Sequence, residues 1–106
     1  STGNVALEIQ IVHSDKKTIG CAFKTFPDFL FYWIYPTNTV LYWNPTALIP
    51  HIVDWIIENK YKIVEAENKN FFSRSMIVPI EDLKATGLVQ EISVSFHLLD
   101  AVAVEG

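Results

Sequence analysis

The sequence has few of the residues that build disulfides, phosphate-binding loops or membrane spans. Its single cysteine, Cys21, excludes an internal disulfide and favours a reducing compartment. Its four glycines are scattered, which excludes a glycine-rich loop around phosphate groups. No apolar run approaches the roughly 18 residues of a membrane-spanning helix, and the N-terminus lacks the pattern of a signal peptide. The sequence therefore predicts a cytoplasmic protein that does not enter a membrane.

Positive charge is also scarce. The chain has 8 Lys and Arg residues against 12 Asp and Glu residues, and its formal net charge is −4. Binding to nucleic acid depends on clustered Lys and Arg side chains that neutralise phosphates. Only Lys16 and Lys17 are adjacent, and their place suits a turn. The sequence therefore predicts an acidic protein without a nucleic-acid partner.

Hydrophobic residues, by contrast, are abundant. They make up 50% of the 106 residues, and charged residues make up 19%. A chain of this length and composition can bury a core without help from a metal or a disulfide. We therefore expect one globular domain over residues 1–106.

Alternation of apolar and polar residues predicts several β-strands. The segments with strand character are 5–13, 18–25, 61–67, 76–78 and 89–96, with 98–104 as a further candidate. A polar turn at 14–17 separates the first two segments, which should form an antiparallel hairpin.

Helical periodicity is clearest in the middle of the chain. Six apolar residues share one predicted helical stripe: Leu48, Ile49, Ile52, Val53, Ile56 and Ile57. Thr46 is the favoured N-cap, because a start at Asn44 would place Pro50 deeper in the helix at a cost of about 3 kcal/mol. A second, short helix is expected near 80–86, stopped by Gly87.

Together these elements predict an α+β fold. It consists of a single antiparallel β-sheet of five to seven strands. The main amphipathic helix, at about 46–59, packs on one face of this sheet, and a short helix lies near 80–86.

More than half of the aromatic residues lie in the stretch 26–43. Its two apolar runs, 29–35 and 39–43, flank Pro36-Thr37-Asn38 and predict a hairpin. The alternative is a short helix over 26–35, capped by Thr25. The run 29–35 is apolar on both faces, so it should be a central strand covered on both sides, or have one face in contact with something outside the chain.

The sequence contains no pattern typical of a metal or cofactor site. His13, Cys21, His51 and His97 have none of the spacings typical of zinc ligands. We therefore predict no metal and no cofactor.

The sequence also contains no pattern that would bring catalytic side chains together. Cys21 is more readily explained as a small buried hydrophobe than as a nucleophile. The pairs Glu65 with Glu67 and Glu81 with Asp82 suit a solvated strand face and a helix N-terminus. Nothing in the sequence indicates an enzyme.

The aromatic stretch supplies the main functional hypothesis. Trp33, Tyr35, Tyr42 and Trp43 would leave one face of the hairpin partly open, and Trp and Tyr dominate protein interfaces. This predicts a non-enzymatic protein-binding module, such as an adaptor, an inhibitor or immunity-type protein, or an assembly subunit. Its partner would be another protein or a second copy of this chain. The alternative is that these aromatic residues simply fill the core.

A second hypothesis places function in a cavity. An apolar pocket between helix and sheet would make the chain a small-molecule-binding domain or a small enzyme. Tyr42, His51 or His97 would then supply polar groups.

Overall fold

A computed structural model describes residues 3–25, 28–34 and 39–93. Within this part of the chain the fold is α+β, as predicted. The strands are β1 (Asn4–His13), β2 (Lys17–Ile19), β3 (Leu30–Ile34), β4 (Thr39–Trp43), β5 (Ile63–Glu67), β6 (Phe71–Pro79) and β7 (Gln90–Ser93). The α-helices are α1 (Pro45–Ile57) and α2 (Ile80–Ala85), and Cys21–Phe23 form a 3₁₀ helix.

The described strands form two antiparallel sheets, so the prediction of a single sheet is wrong. The larger sheet has the order β2-β1-β6-β5, and the smaller sheet has the order β3-β4-β7. β6 pairs with β1 from Asn4↔Pro79 to His13↔Phe71. These two strands are neighbours in the sheet although they lie near opposite ends of the described sequence. Alternation identifies each segment as a strand, but it carries no information about pairing at such sequence separation.

The first hairpin is present but shorter than predicted. β2 pairs with β1 through Gln10↔Ile19, Ile11↔Thr18 and Val12↔Lys17, and then the strand ends. Gly20 lies so close to β1 that a Cβ atom there would be 2.3 Å from the carbonyl oxygen of Glu8. The chain turns from this contact into the 3₁₀ helix, so the predicted strand over 18–25 is wrong beyond Ile19.

The aromatic hairpin is confirmed by the pairing of β3 with β4, from Leu30↔Trp43 to Ile34↔Thr39. The alternative helix over 26–35 is therefore wrong for the described residues of β3. The predicted turn at 36–38 lies outside the described residues. Among the described strands, β4 is the central strand of the smaller sheet and β3 lies at its edge. Phe31 of β3 is 69% exposed, so this apolar run is not covered on both faces.

Helix α1 begins two residues earlier than predicted. Asn44 is the N-cap, and its side-chain Oδ1 accepts hydrogen bonds from the backbone N–H groups of Thr46 (2.9 Å) and Ala47 (3.4 Å). Pro45 occupies the first helical position, which suits proline because its amide needs no partner there. Pro50 therefore lies inside the helix, where it cannot donate to the carbonyl of Thr46.

The buried face of α1 also differs from the predicted stripe. Buried positions recur at three- and four-residue spacing: Pro45, Leu48, Ile52 and Trp55. Ile57 is 76% exposed and Val53 is 39% exposed, although both were assigned to the apolar stripe. Helical periodicity locates a stripe only to within about one residue either side, and here the large ring of Trp55 is the one that enters the core.

The C-terminal end of α1 is closed by Asn59. Asn59 has a positive φ of 53°, its N–H donates to Ile56 O, and the N–H of Lys60 donates to Trp55 O. This pair of bonds is a Schellman motif, which satisfies carbonyl groups at the helix end. The predicted end near Asn59 is thus confirmed, and so is the short helix near 80–86, which is followed by Gly87 at φ 78°.

Later strands differ from the predictions mainly in length. β5 begins at Ile63, two residues after the predicted start, and β6 spans nine residues where only 76–78 were predicted. β6 lies between β1 and β5, so backbone pairing on both edges extends it through the polar residues 73–75. β7 covers Gln90–Ser93, and the predicted strand residues 94–96 and 98–104 lie outside the described residues.

One hydrophobic core joins the two sheets and both α-helices. Its fully buried members include Val5 from β1, Leu41 from β4, Met76 from β6 and Leu83 from α2. Trp43 and Trp55 are the two aromatic residues of this core among the described residues. The core thus uses the inward side of the smaller sheet, and the other side of this sheet lies outside the core.

The two possible caps of α1 give a direct test. Asn44→Ala should lower the free energy of unfolding by about 1 kcal/mol, because two backbone N–H groups lose their acceptor. Thr46→Ala, the matched control, should change it by less than about 0.5 kcal/mol. Chemical denaturation measures both, and a larger loss with Thr46→Ala would contradict the assignment of Asn44 as the cap.

Gly20 gives a second test. Gly20→Ala should destabilise the fold by roughly 1–3 kcal/mol, because its new Cβ would meet the backbone of Glu8, which cannot move aside easily. Gly87→Asn is the control, since nothing lies within 4 Å of that position and Asn tolerates positive φ. Equal thermal unfolding temperatures for both variants would show that the contact at Gly20 is not tight.

Candidate functional site

The outward side of the smaller sheet carries an exposed aromatic cluster. Residues directly paired across antiparallel strands share one face, and Phe31 pairs with Tyr42, which pairs with Gln90. We use the name aromatic face for the side chains on this side: Phe29, Phe31, Val40, Tyr42, Gln90 and Ile92. Phe31 is 69% exposed, Phe29 53% and Ile92 44%. These are large apolar side chains in contact with solvent.

The ring of Tyr42 on the aromatic face contacts the rings of both Phe29 and Phe31. Tyr42 is half-buried, with its ring centroid 5.9 Å from that of Phe31 in a stacked arrangement and 6.2 Å from that of Phe29 in an edge arrangement. Such pairs contribute about 0.5–1.5 kcal/mol beyond burial of area. The strand register and these contacts hold the rings as a preformed apolar surface.

The four residues predicted to form the site do not share one surface. Tyr42 lies on the aromatic face, whereas Trp43 is 3% exposed and belongs to the core. Adjacent residues of a strand face opposite sides of the sheet, so Tyr42 and Trp43 could not both belong to one surface. Trp33 pairs with Val40 through its backbone, and its side chain and the whole of Tyr35 lie outside the described part of the chain.

Sequence reasoning missed Phe29, Phe31 and Ile92 as surface residues. A usable signal was present for the first two, because Phe29 and Phe31 alternate with Leu30 and would share one side of a strand. The sequence does not show which side of that strand meets the core. That choice depends on the pairing with β4, which turns Leu30 and Trp43 inward together.

Charge is absent from the aromatic face within the described residues. Its one polar side chain apart from the Tyr42 hydroxyl is the neutral amide of Gln90. The neighbouring Glu91 points to the other side, where its carboxylate accepts a hydrogen bond from Lys84 Nζ at 3.3 Å. The chemistry available on this face is apolar and aromatic contact.

A small apolar pocket lies between the two sheets. Its walls come from residues 6–8 of β1, 21–22 of the 3₁₀ helix, 30–32 of β3, and Trp43 of β4. We call it the inter-sheet pocket, and its volume is about 70 Å³. It is apolar, as the second sequence hypothesis required, but it lies between sheets and not between helix and sheet.

One residue of this wall, Trp43, carries an unsatisfied buried donor. The indole N–H of Trp43 is buried and has no hydrogen-bond acceptor among the described residues. Glu8 also contributes to the wall, and its carboxylate accepts a hydrogen bond from the backbone N–H of Cys21 at 3.3 Å. Partial burial and the carboxylate of Glu8 raise the pKa of the Cys21 thiol, so the thiol is neutral near pH 7.

Another, more open depression lies between α1 and α2. It has a volume of about 230 Å³ and is lined by His51, Trp55, Lys60, Tyr61 and residues of α2. Tyr61 donates a hydrogen bond to Asp82 at 2.5 Å, and its ring meets that of Trp55 edge-on at 5.3 Å. Burial and the bond to Asp82 raise the pKa of Tyr61. These contacts tie α1 to α2, and they also explain why Tyr61 does not join β5.

The remaining histidines and carboxylates do not converge. The described residues contain no group of three or more His, Cys, Asp or Glu side chains that could hold a metal ion. His13 lies beside Phe71, with ring centroids 5.6 Å apart, and His97 lies outside the described residues. The expectation that the chain uses no metal or cofactor stays a prediction.

Comparison with other proteins does not assign this chain to a family. No protein-family model matches the sequence, and neither the curated proteins nor the solved structures contain a match. In the part of the chain that the structure describes, no helix has the length and apolar character to cross a membrane.

The raised pKa of Cys21 predicts slow alkylation at neutral pH. The thiolate is the reactive species, so the rate with iodoacetamide should keep rising as the pH passes the ordinary thiol range near 8.5. Glu8→Gln should speed the reaction at pH 7.5 by roughly twofold or more, because a negative neighbour is removed. Glu65→Gln on β5 is the control, and an equal effect of both changes would contradict a local influence of Glu8.

Proposed function

We propose that this chain is a non-enzymatic protein-binding module that contacts its partner through the aromatic face. The observation that carries the proposal is Phe31, which is 69% exposed and stacked on Tyr42 in an uncharged sheet face. The largest exposed apolar patch on a soluble monomer typically covers about 300–600 Å² and is often functional. Aromatic side chains are also enriched among residues that dominate binding energy.

The exposed area supports an interface of modest strength. An aromatic side chain carries roughly 150–250 Å² of surface, so the exposed fractions of Phe29 and Phe31 amount to about 250 Å². At about 25 cal/mol per Å², burial of this area would contribute about 6 kcal/mol. Association itself costs on the order of 4–15 kcal/mol. The two rings alone therefore support a weak complex, and a tight complex needs further contacts around them.

The chemistry of the aromatic face restricts the partner. A charged partner surface would lose its hydration without gaining a counter-charge, which is unfavourable. The partner should therefore offer an uncharged, apolar surface. A second copy of this chain meets that condition through its own aromatic face, and so would a different protein with an exposed apolar strand or helix.

The proposal agrees with three roles: an adaptor, an inhibitor or immunity-type protein, or a subunit of an assembly. Each needs a rigid contact surface and no reacting groups. The proposal includes a cytoplasmic location, which rests on the single cysteine.

Phe31→Ser tests the proposal, with Ile57→Ser as its matched control. Both side chains are largely exposed, but Ile57 lies on α1, away from the aromatic face. Each change should leave the free energy of unfolding within about 0.5–1 kcal/mol of the parent. Only Phe31→Ser should weaken binding, by roughly tenfold or more, if Phe31 is a central contact.

Native mass spectrometry from micromolar to millimolar protein measures self-association. A dimer that Phe31→Ser removes and Ile57→Ser keeps would identify a second copy as the partner. If the chain is monomeric, affinity capture followed by titration calorimetry with the purified partner measures the same difference. A monomer whose partner binds both variants equally would overturn the proposal. Trp43→Ala is unsuitable here, because loss of this core ring should cost about 3–5 kcal/mol of stability.

A further inference from the structure

We propose that a crevice at one end of the larger sheet binds a neutral polyhydroxylated ligand: a sugar ring, alone or at the end of a longer saccharide. The crevice is lined by residues 12–14, where β1 enters its turn, and by residues 67–72, which run from the end of β5 into β6. We call it the loop crevice. It shares no residue with the aromatic face or with the inter-sheet pocket, so this inference does not rest on the proposed function.

The two halves of the loop crevice are far apart in sequence and are joined by the pairing of β1 with β6. The last pair of this ladder is His13↔Phe71, and the two ring centroids are 5.6 Å apart. Each loop is also closed by a backbone hydrogen bond of 2.8 Å. The N–H of His13 donates to the carbonyl of Lys16, and the N–H of Asn68 donates to the carbonyl of Phe71. The walls are therefore ordered before a ligand arrives, which lowers the entropic cost of binding.

The loop crevice has the size of a small-molecule site. Its volume is about 390 Å³, and ligand sites in proteins typically measure roughly 300–1,000 Å³. The lower end of that range suits one ring of a small molecule.

Polar side chains of the loop crevice are available to a ligand. The side chains of Ser14 and of residues 67–70 make no hydrogen bond or ion pair with any residue in the described part of the chain. The amides of Asn68 and Asn70 and the hydroxyl of Ser14 can each donate and accept hydrogen bonds. A ligand hydroxyl can also do both. A ligand with several hydroxyl groups therefore matches this set of side chains.

An exposed aromatic ring in the same wall favours a sugar over a purely polar ligand. Phe71 is 36% exposed, although its ring lies beside that of His13. A pyranose ring with equatorial hydroxyls presents C–H groups above and below its plane. These C–H groups can cover the phenyl ring of Phe71, which removes apolar surface from water and adds dispersion contacts. The hydroxyls around the edge of the sugar then remain free for the polar side chains.

The charges in the loop crevice favour a neutral ligand. Glu67 and Lys69 bring one negative and one positive charge into the wall, two residues apart in the sequence. An ion that is attracted by one of these side chains is repelled by the other, so it gains little net Coulomb energy. A neutral sugar can accept a hydrogen bond from Lys69 and donate one to Glu67.

Methyl β-D-glucopyranoside is the probe for the test, because its ring substituents are all equatorial and it carries no charge. It is titrated into ¹⁵N-labelled protein, and the side-chain NH₂ signals of Asn68 and Asn70 are followed by NMR. We expect these signals to shift and to saturate with a Kd on the order of 1 mM. Sorbitol has more hydroxyl groups but no rigid C–H face, and it should bind at least about fivefold more weakly.

Two variants and one control test the roles of the wall residues. Asn70→Ala removes an amide, and Phe71→Leu removes the aromatic ring but keeps an apolar side chain. Each change should raise the Kd for the glucoside roughly three- to tenfold. Asn4→Ala, at the opposite end of β1 and outside the loop crevice, should keep the Kd within about twofold of the parent value.

The proposal is overturned if the amide signals do not saturate up to about 100-fold above the expected Kd, or if sorbitol binds as tightly as the glucoside. It is also overturned if Asn70→Ala and Phe71→Leu both bind the glucoside like Asn4→Ala. Should Phe71→Leu fail to fold, Asn70→Ala decides the matter, because Asn70 is exposed on a loop and its side chain has no partner among the described residues.

Discussion

The smaller sheet depends on one constraint, the alternation of side chains along β4. Leu41 and Trp43 point inward and are buried, while Val40 and Tyr42 point outward. Because β4 is the central strand, its two sides set the character of the whole sheet: Leu30 of β3 follows Trp43 inward, and Phe31 follows Tyr42 outward. The core and the aromatic face therefore depend on the same register of β4. A shift of β4 by one residue would turn its buried side chains outward and its exposed side chains inward, and both surfaces would be lost.

The sheets are stabilised unequally. In the larger sheet, β6 is paired on both edges, and its buried residues Met76 and Val78 pack against the core. In the smaller sheet, only the inward side contributes to the core. Trp43 does so at a cost, since it brings a large ring into the interior together with an N–H that has no acceptor in the described part of the chain. The inter-sheet pocket beside it shows that packing between the two sheets is incomplete at this point.

Local features could be predicted from the sequence, and long-range ones could not. The main helix, the short helix and the aromatic hairpin follow from periodicity, caps and turn residues within about fifteen positions of one another. The predicted start of α1 at Thr46 avoids the cost of Pro50. In the structure the Asn44 cap and the burial of Pro45 at the first helical position outweigh that cost. Division into two sheets rests on the pairing of β1 with β6, which no local pattern encodes. For the site, the aromatic stretch pointed to the correct hairpin, but only its register with β4 distinguishes exposed Phe31 from buried Trp43.

The pairing of β1 with β6 also determines when the fold can form. Strand β1 is synthesised before its partner β6, which begins only at Phe71. The two strands can therefore pair only after the aromatic hairpin and α1 have been synthesised. During that interval β1 has only the three-residue strand β2 beside it. Folding of the larger sheet is therefore a late event, and its high contact order predicts a slower rate than for a helical domain of this size. Until that step, the apolar residues Val5 and Leu7 lack the core that covers them in the folded protein, and exposed apolar surface of this kind favours association between unfinished chains.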